Sequence, residues 1–207
     1  MDYRERITEE AAVLFMKYGI RAVTMDSIAH HLGMSKRTIY EQFADKDELL
    51  RSVVRNMTHR QKEVFLDIMK ESDNVIETIF RILTLASSHF KTTNPTYLMD
   101  LKKYHYRVYE EICQKGDIRN MEMTEEILNR GIKEKIFRSD INVEIVNAGI
   151  HGAIDMTKDD QYLPEGKYSR MEIIENLLFN YLIGISTPQG QELINKYKNK
   201  ENLEFNV

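Results

Sequence analysis

The sequence predicts an all-α protein in which a compact three-helix head is followed by a C-terminal helical bundle, with about nine or ten helices in all. Apolar residues recur at helical spacing along most of the chain. Glycine and proline number only 9 and 3 in 207 residues, too few for the frequent turns of a sheet protein. With 42% hydrophobic and 30% charged residues, the chain has enough apolar material for a packed core.

Each of the first two predicted helices ends at a glycine. An apolar face between Ile7 and Tyr18 predicts the first helix, which Gly19 should end as a left-handed cap. Thr24 has the residue type and the position of an N-cap for the second helix. Gly33 follows that helix and supplies a tight turn.

A third helix begins directly after this turn. Ser35 should cap it, and Ile39 and Phe43 fall on its buried side. Two short helices joined by a tight turn form a helix-turn-helix, whose second helix is thin enough to enter the major groove of DNA. The pattern therefore indicates sequence-specific DNA binding.

A long fourth helix links the head to the rest of the chain. Asp45 should cap it, Glu48 should complete a capping box, and the helix should span about residues 46–71. We therefore expect residues 1–50 to form a helix-turn-helix domain and residues 51–207 to form a second, helical domain. Further helices are predicted over about residues 74–90, 96–114 (in one piece or two), 118–135, 143–158, 170–186 and 188–199.

Composition excludes several classes of protein. The net charge is −4, to which residues 1–60 contribute +1 (10 basic, 9 acidic) and residues 61–207 contribute −5 (19 basic, 24 acidic). DNA binding therefore requires basic groups that cluster on one face. The single cysteine permits no internal disulfide, and no apolar run approaches the ~20 residues of a membrane helix, so we expect a cytoplasmic protein. The sequence has no nucleophile–base pair, phosphate loop or metal-ligand array, so we expect no enzyme activity, no metal and no cofactor.

A set of residues with fixed spacing runs through the head. It consists of Ala12, Leu14, Phe15, Gly19, Thr24, Met25, Ile28, Ala29, Gly33 to Tyr40, Phe43, Lys46 and Leu49. In residue types and spacing, this set resembles the DNA-binding domain of the TetR (tetracycline repressor) family. The sequence departs from the family pattern at Met34, Arg37 and Gln42, which changes the chemistry facing the groove more than the fold.

The resemblance implies a DNA-binding surface around the third helix. Its predicted members are Thr24, Ser35, Lys36, Arg37, Thr38, Tyr40 and Lys46. Arg37 can donate two hydrogen bonds to guanine O6 and N7, and the Tyr40 hydroxyl suits a phosphate oxygen. Lys46 resembles the phosphate-binding lysine of the family. On an arbitrary helix the basic pair at positions 36 and 37 would be solvated charges, but its place directly after the turn favours DNA contact.

One recognition helix reads too few bases for useful specificity, so a two-fold dimer is expected. The helix predicted over residues 170–186 is apolar nearly all round, and one chain can cover only one side of it. The resemblance implies a homodimer interface formed by this helix and the preceding one from each subunit. The candidate residues are Ile145, Gly149, Gly152, Leu178, Tyr181, Leu182 and Ile185. Packing within the core of the same chain is the alternative interpretation of these residues.

The resemblance also implies a pocket for a small-molecule effector, so that residues 51–207 would serve ligand binding and dimerisation. Tyr104, His105 and Tyr109 are candidate lining residues, although aromatic residues at helical spacing more often belong to a core. The predicted function is a transcriptional regulator, a repressor that an unidentified ligand releases from a palindromic operator on double-stranded DNA. The alternative is an effector-independent architectural or nucleoid-associated DNA-binding protein.

Overall fold

The computed structural model describes residues 2–111, 121–156 and 168–200, and these residues form eleven α-helices. Their bounds are α1 (Tyr3–Tyr18), α2 (Met25–Leu32), α3 (Lys36–Gln42), α4 (Lys46–Glu71), α5 (Val75–Thr92), α6 (Thr96–Tyr104), α7 (Tyr106–Tyr109), α8 (Met121–Lys133), α9 (Val143–Met156), α10 (Arg170–Ile185) and α11 (Pro188–Lys200). The all-α prediction is confirmed, because β structure among the described residues is limited to one isolated bridge between Phe137 and Ser186. None of the described helices is long and apolar enough to cross a membrane.

The predicted helix starts are set by polar caps. Ser169 and Glu172 form a reciprocal capping box at the start of α10. At the start of α4, the Glu48 N–H donates to Asp45 Oδ1 at 2.8 Å. The Glu48 carboxylate accepts from the Ala44 N–H, also at 2.8 Å, one residue before the partner that a capping box requires. The fourth helix therefore begins where the sequence predicts, with its box displaced by one residue.

Two glycines shape the turns on either side of α2. Gly33 makes the predicted turn and adopts the left-handed conformation (φ 63°, ψ 28°). Gly19 has a positive φ of 83° but an extended ψ of 154°, so the left-handed cap predicted there is wrong. A Cβ on Gly19 would lie 2.6 Å from Thr96 Oγ1, and glycine at this position therefore also allows the close approach of α6.

The helix predicted over residues 96–114 is divided at His105. The backbone of His105 leaves the helical region (φ −128°, ψ 43°), and its Nδ1 lies 2.5 Å from Asp47 Oδ1. This break gives α6 and α7 and accounts for the eleventh helix. The predicted boundary between the helices over residues 96–114 and 118–135, and the predicted end of the helix over residues 143–158, lie outside the described residues.

The chain divides into two compact units. The first comprises Met1–Val64 and His89–Arg119, and the second comprises Phe65–Ser88 and Asn120–Val207. The first unit therefore contains α6 and α7 as well as the helix-turn-helix.

The first unit is held together by an apolar core and by hydrogen bonds between the head and residues in or just before α6. Phe15 and Phe43 are fully buried in this core. The Asn94 N–H donates to the Met16 carbonyl at 2.7 Å just before α6 begins. The Arg21 N–H donates to Asp100 Oδ2 at 2.9 Å, so a buried carboxylate of α6 holds the turn between α1 and α2.

The second unit has its own core, built from α5 and the helices from α8 onward. Phe80 of α5 packs against Phe179 and Tyr197, with ring centroids 5.6 Å and 5.7 Å away. Arg130 donates to the Met69 and Ser72 carbonyls at 2.6 Å and 2.7 Å, which satisfies backbone acceptors at the end of α4. This core positions α9 and α10 side by side.

Candidate nucleic-acid interface

The helix-turn-helix is fixed by caps at both of its helix starts. Thr24 Oγ1 accepts from the Ser27 N–H at 3.0 Å, and Ser27 Oγ accepts from the Thr24 N–H at 2.9 Å. Ser35 Oγ accepts from the Thr38 N–H at 3.1 Å and lies 2.8 Å from Thr38 Oγ1. Because these bonds are local, the short helices α2 and α3 begin at defined residues on either side of Gly33.

The recognition helix α3 has one buried and one exposed side. Ile39 and Phe43 are fully buried in the head. Tyr40 is 44% exposed, and the side chain of Arg37 is 88% exposed. The helix therefore presents Arg37 and Tyr40 to solvent while its apolar side is anchored in the core.

Both basic residues in the first turn of α3 are paired with acidic residues of the same head. Lys36 Nζ lies 2.8 Å from an Asp26 carboxylate oxygen, and this hydrogen bond raises the pKa of the lysine. Arg37 Nε donates to Glu41 Oε1 at 2.8 Å. Neither acidic partner was predicted from the sequence. The four-residue spacing of Arg37 and Glu41 was a visible signal, but Asp26 lies on α2 and meets Lys36 only through packing.

Lys46 lies half-buried beneath the turn between α1 and α2. Its ammonium donates to the Ile20 carbonyl at 2.6 Å and also to the Val23 carbonyl. Its Nζ lies 5.7 Å from the centroid of the Phe15 ring, and burial lowers the pKa of the lysine. An ammonium has three donors, so one remains after these two bonds. The predicted phosphate contact of Lys46 stays a prediction and is compatible with this geometry.

We expect Lys46→Met to affect both folding and DNA binding. Methionine keeps most of the apolar stem but leaves two carbonyls without their donor, so the free energy of unfolding should fall by about 1–3 kcal/mol. If the third donor binds a phosphate, the slope of log K against log salt concentration should also fall by about 0.9 per subunit. Denaturant titration and salt-dependent anisotropy measure the two effects separately. A loss of stability with an unchanged salt slope would show that Lys46 only stabilises the turn between α1 and α2.

Glu48 ties the start of α4 to α1. Its Oε1 lies 2.7 Å from Arg4 Nη2, and the guanidinium of Arg4 stacks 4.2 Å from the centroid of the Phe43 ring. The Arg4 hydrogen bond, followed by the Ala44 N–H, holds the pKa of the Glu48 carboxyl below its usual value of 4.5. The ion pair of Arg4 and Glu48 therefore links α1 to the start of α4, next to Phe43 at the end of α3.

The lowered pKa of Glu48 predicts an acid-dependent contribution to stability. Because the folded pKa is depressed, this contribution is present above pH 4.5 and is lost as the pH falls through the folded pKa. Glu48→Gln should lower the free energy of unfolding at pH 7 by less than about 1 kcal/mol, since the pair is partly exposed. Urea titrations at a series of pH values should show wild type and variant converging in acid. A constant difference at all pH values would contradict this origin.

The chain is similar in sequence to known bacterial transcriptional regulators. The model of the family described as bacterial regulatory proteins, tetR family, matches residues 7–53. The chain is 28% identical over 187 residues to the HTH-type transcriptional regulator YvaF of Bacillus subtilis, covering 89% of this chain and 96% of the relative. It is 24% identical over 186 residues to the HTH-type transcriptional repressor KstR2 of Mycobacterium tuberculosis, covering 88% and 92%.

The chain belongs to the TetR family. It is therefore a DNA-binding transcriptional regulator and not an enzyme. The crystal structure of a transcriptional regulator from Cytophaga hutchinsonii has the same fold, with a TM-score of 0.67 at 21% identity, over 88% of this chain and 98% of that one.

One face of α9 in this TetR-family protein exposes apolar and small residues to solvent. Ile145 is 69% exposed. Among the residues that the structure describes, no atom lies within 4 Å of a Cβ added to Gly152. Gly149 is different, because a Cβ there would collide with the hydroxyl of Tyr181 in the same chain. Gly149 thus serves packing of α9 on α10, whereas Ile145 and Gly152 lie free on the surface of the single chain.

On α10, the predicted interface residues divide into two groups. Leu182 and Ile185 are only 2% and 6% exposed and are covered by the core of the second unit. Leu178 and Tyr181 are half-buried and line a shallow apolar depression between α9 and α10. A dimer interface on this face therefore depends on the exposed positions and on the depression, because Leu182 and Ile185 have little surface left to offer.

The three candidates for a ligand pocket lie in the first unit. Tyr104 is 47% exposed, with its ring 5.2 Å from the Arg21 guanidinium. His105 is paired with Asp47, and Tyr109 is buried in the core of that unit. None of the three lines the depression between α9 and α10. Among the described residues, no three His, Cys, Asp or Glu side chains are grouped so that they could hold a metal ion.

Proposed function

We propose that this TetR-family regulator is a repressor that binds a palindromic operator as a homodimer and that a small-molecule ligand releases it. The observation that carries the proposal is the two-sided α3, whose apolar residues are fully buried while Arg37 and Tyr40 face solvent. A helix held in this way can enter a major groove without unfolding any part of the head.

The proposed DNA contacts divide into base reading and backbone positioning. Arg37 reads a guanine through O6 and N7. The backbone contacts come from hydroxyl and ammonium groups around α3, which fix the register of the helix but carry no sequence information. These are Thr24, Ser35, Lys36, Thr38, Tyr40 and Lys46.

The homodimer is proposed on the exposed part of α9 and α10. Ile145 and Gly152 give α9 a flat, narrow face on which a second helix can approach closely, and the depression beside Tyr181 offers apolar surface. A two-fold dimer would place two copies of α3 about 34–36 Å apart, or a multiple of this, along one face of the duplex.

Selection from random duplex DNA with the full chain tests this proposal. The expected result is an inverted repeat whose half-sites are about 10 base pairs apart centre to centre, or a multiple of that spacing. Affinity for the selected site should be nanomolar and should fall steeply with salt. Recovery of unrelated sequences, or of single half-sites only, would contradict a dimeric, sequence-specific regulator.

Repression is supported by the relative KstR2, which is named a transcriptional repressor. Transcription in vitro from a promoter that carries the selected site should fall when the protein is added. A rise in transcript would instead make the protein an activator.

An effector-independent DNA-binding protein is the second candidate function. It is favoured by the contacts of Tyr104, His105 and Tyr109 within the first unit, where Arg21, Asp47 and the apolar core engage them. A screen of small metabolites separates the two candidates. A compound that raises the melting temperature and also releases the selected DNA supports the ligand-controlled repressor, whereas DNA binding that no stabilising compound alters supports the second candidate.

A further inference from the structure

An acidic residue lies on the side of α3 that faces away from the head. Residues two positions before and after Ile39 are turned by about 200° from it, because successive helical residues are about 100° apart. Ile39 is fully buried, so Arg37 and Glu41 both lie on the opposite, outward side. Their side chains are 88% and 55% exposed and are joined by the bond from Arg37 Nε to Glu41 Oε1.

The ion pair of Arg37 and Glu41 is not explained by a contribution to the stability of α3. An exposed pair four residues apart contributes little, and the order here, with the cation nearer the N-terminus, is the less favourable one. Glu41 also lies in the last turn of α3, where the helix dipole disfavours a negative charge. A carboxylate on this side is moreover repelled by the phosphates of DNA.

The surrounding charges follow the same pattern. Residues 24–50 contain three basic residues and five acidic ones, so the helix-turn-helix is not itself a basic patch. Lys36 is paired with Asp26, as Arg37 is with Glu41. Such a surface binds arbitrary DNA weakly, and a favourable site must offer contacts that compensate for the acids.

We propose that Glu41 is a positioning residue that makes Arg37 selective for guanine. The inference rests on the proposed base reading by Arg37. With Nε bonded to Glu41, the guanidinium retains its two terminal nitrogens, which can donate side by side to O6 and N7 of one guanine. The carboxylate also opposes movement of Arg37 to a phosphate. Glu41 thus raises the ratio of specific to non-specific binding.

The test uses the selected operator, the same operator changed at the base pair that Arg37 reads, and an unrelated duplex. Glu41→Ala and Glu41→Gln should each reduce preference for the intact operator by roughly 5- to 20-fold and should tighten binding to the unrelated duplex. In an Arg37→Ala background, Glu41→Ala should leave the preference at that base pair unchanged. Glu5→Ala, which removes an exposed acidic residue of α1, is the matched control and should not alter base preference.

Three other outcomes would overturn the inference or its basis. Loss of preference at a different base pair, in both backgrounds, would show that Glu41 itself accepts from a base such as cytosine. An unchanged ratio in both single variants would reduce the pair to a surface contact. A wild-type protein with no base preference at the Arg37 position would contradict the proposed base reading by Arg37 instead, which keeps the two failures distinct.

Discussion

Gly152→Arg should leave the protein folded but monomeric and should weaken binding to a palindromic operator by about 100-fold or more. A Cβ at this position would meet no atom of the described residues within 4 Å, and arginine favours a helix more than glycine does. The monomer should therefore be at least as stable as wild type. In the proposed dimer the same side chain would bring bulk and charge to a closely packed helix pair, and a monomer carries only one recognition helix.

Analytical ultracentrifugation and fluorescence anisotropy measure the two consequences of Gly152→Arg. Asn195→Arg is the matched control, because it adds the same charge at an exposed position of α11, outside the proposed interface. The control should sediment and bind DNA like wild type. A Gly152→Arg protein that still sediments as a dimer would place the interface elsewhere.

Arg37→Ala should abolish the base preference at one position in each half-site of the operator. A bidentate contact with guanine is worth roughly 1–3 kcal/mol of discrimination, which corresponds to about 5- to 150-fold per half-site. Because the dimer makes this contact twice, the loss in affinity for the intact operator should approach the square of that factor. The fold should be unaffected, since the Arg37 side chain is 88% exposed.

A panel of operators changed at single base pairs would locate the position that Arg37 reads. The variant should bind the intact site and the site changed at that position equally well, while it keeps its preferences elsewhere. Arg6→Ala removes an exposed positive charge from α1 and controls for the general loss of charge. If Arg37→Ala weakened binding to all sequences equally, Arg37 would be a phosphate contact.

The predictions that succeeded depend on short stretches of sequence. Thr24, Ser35 and Ser169 cap their helices, and α4 spans Lys46–Glu71 as predicted. Each of these features is set by hydrogen bonds between residues three or four positions apart. The left-handed cap predicted at Gly19 was wrong because the turn there is shaped by Asp100 and Thr96, some 80 residues further along the chain.

The burial and the bonding partners of individual side chains within the candidate sites could not be predicted in the same way. A lysine that resembles a phosphate contact, Lys46, donates to two carbonyls of a distant turn. Leu182 and Ile185 share a helix with Tyr181 but are covered by their own core. Tyr109 is buried in the core of the first unit. Each outcome depends on which helices pack together, and helical periodicity alone does not determine that.

The sequence by itself determined the all-α class, the helix-turn-helix and the outward position of Arg37 and Tyr40, because local caps and a 3.6-residue period encode them. Only the tertiary structure decided that Asp26 pairs with Lys36, that Lys46 donates to the carbonyls of Ile20 and Val23, and which part of α9 and α10 stays uncovered. Those properties arise from contacts between residues far apart in the chain, whose partners are chosen by the packing of whole helices.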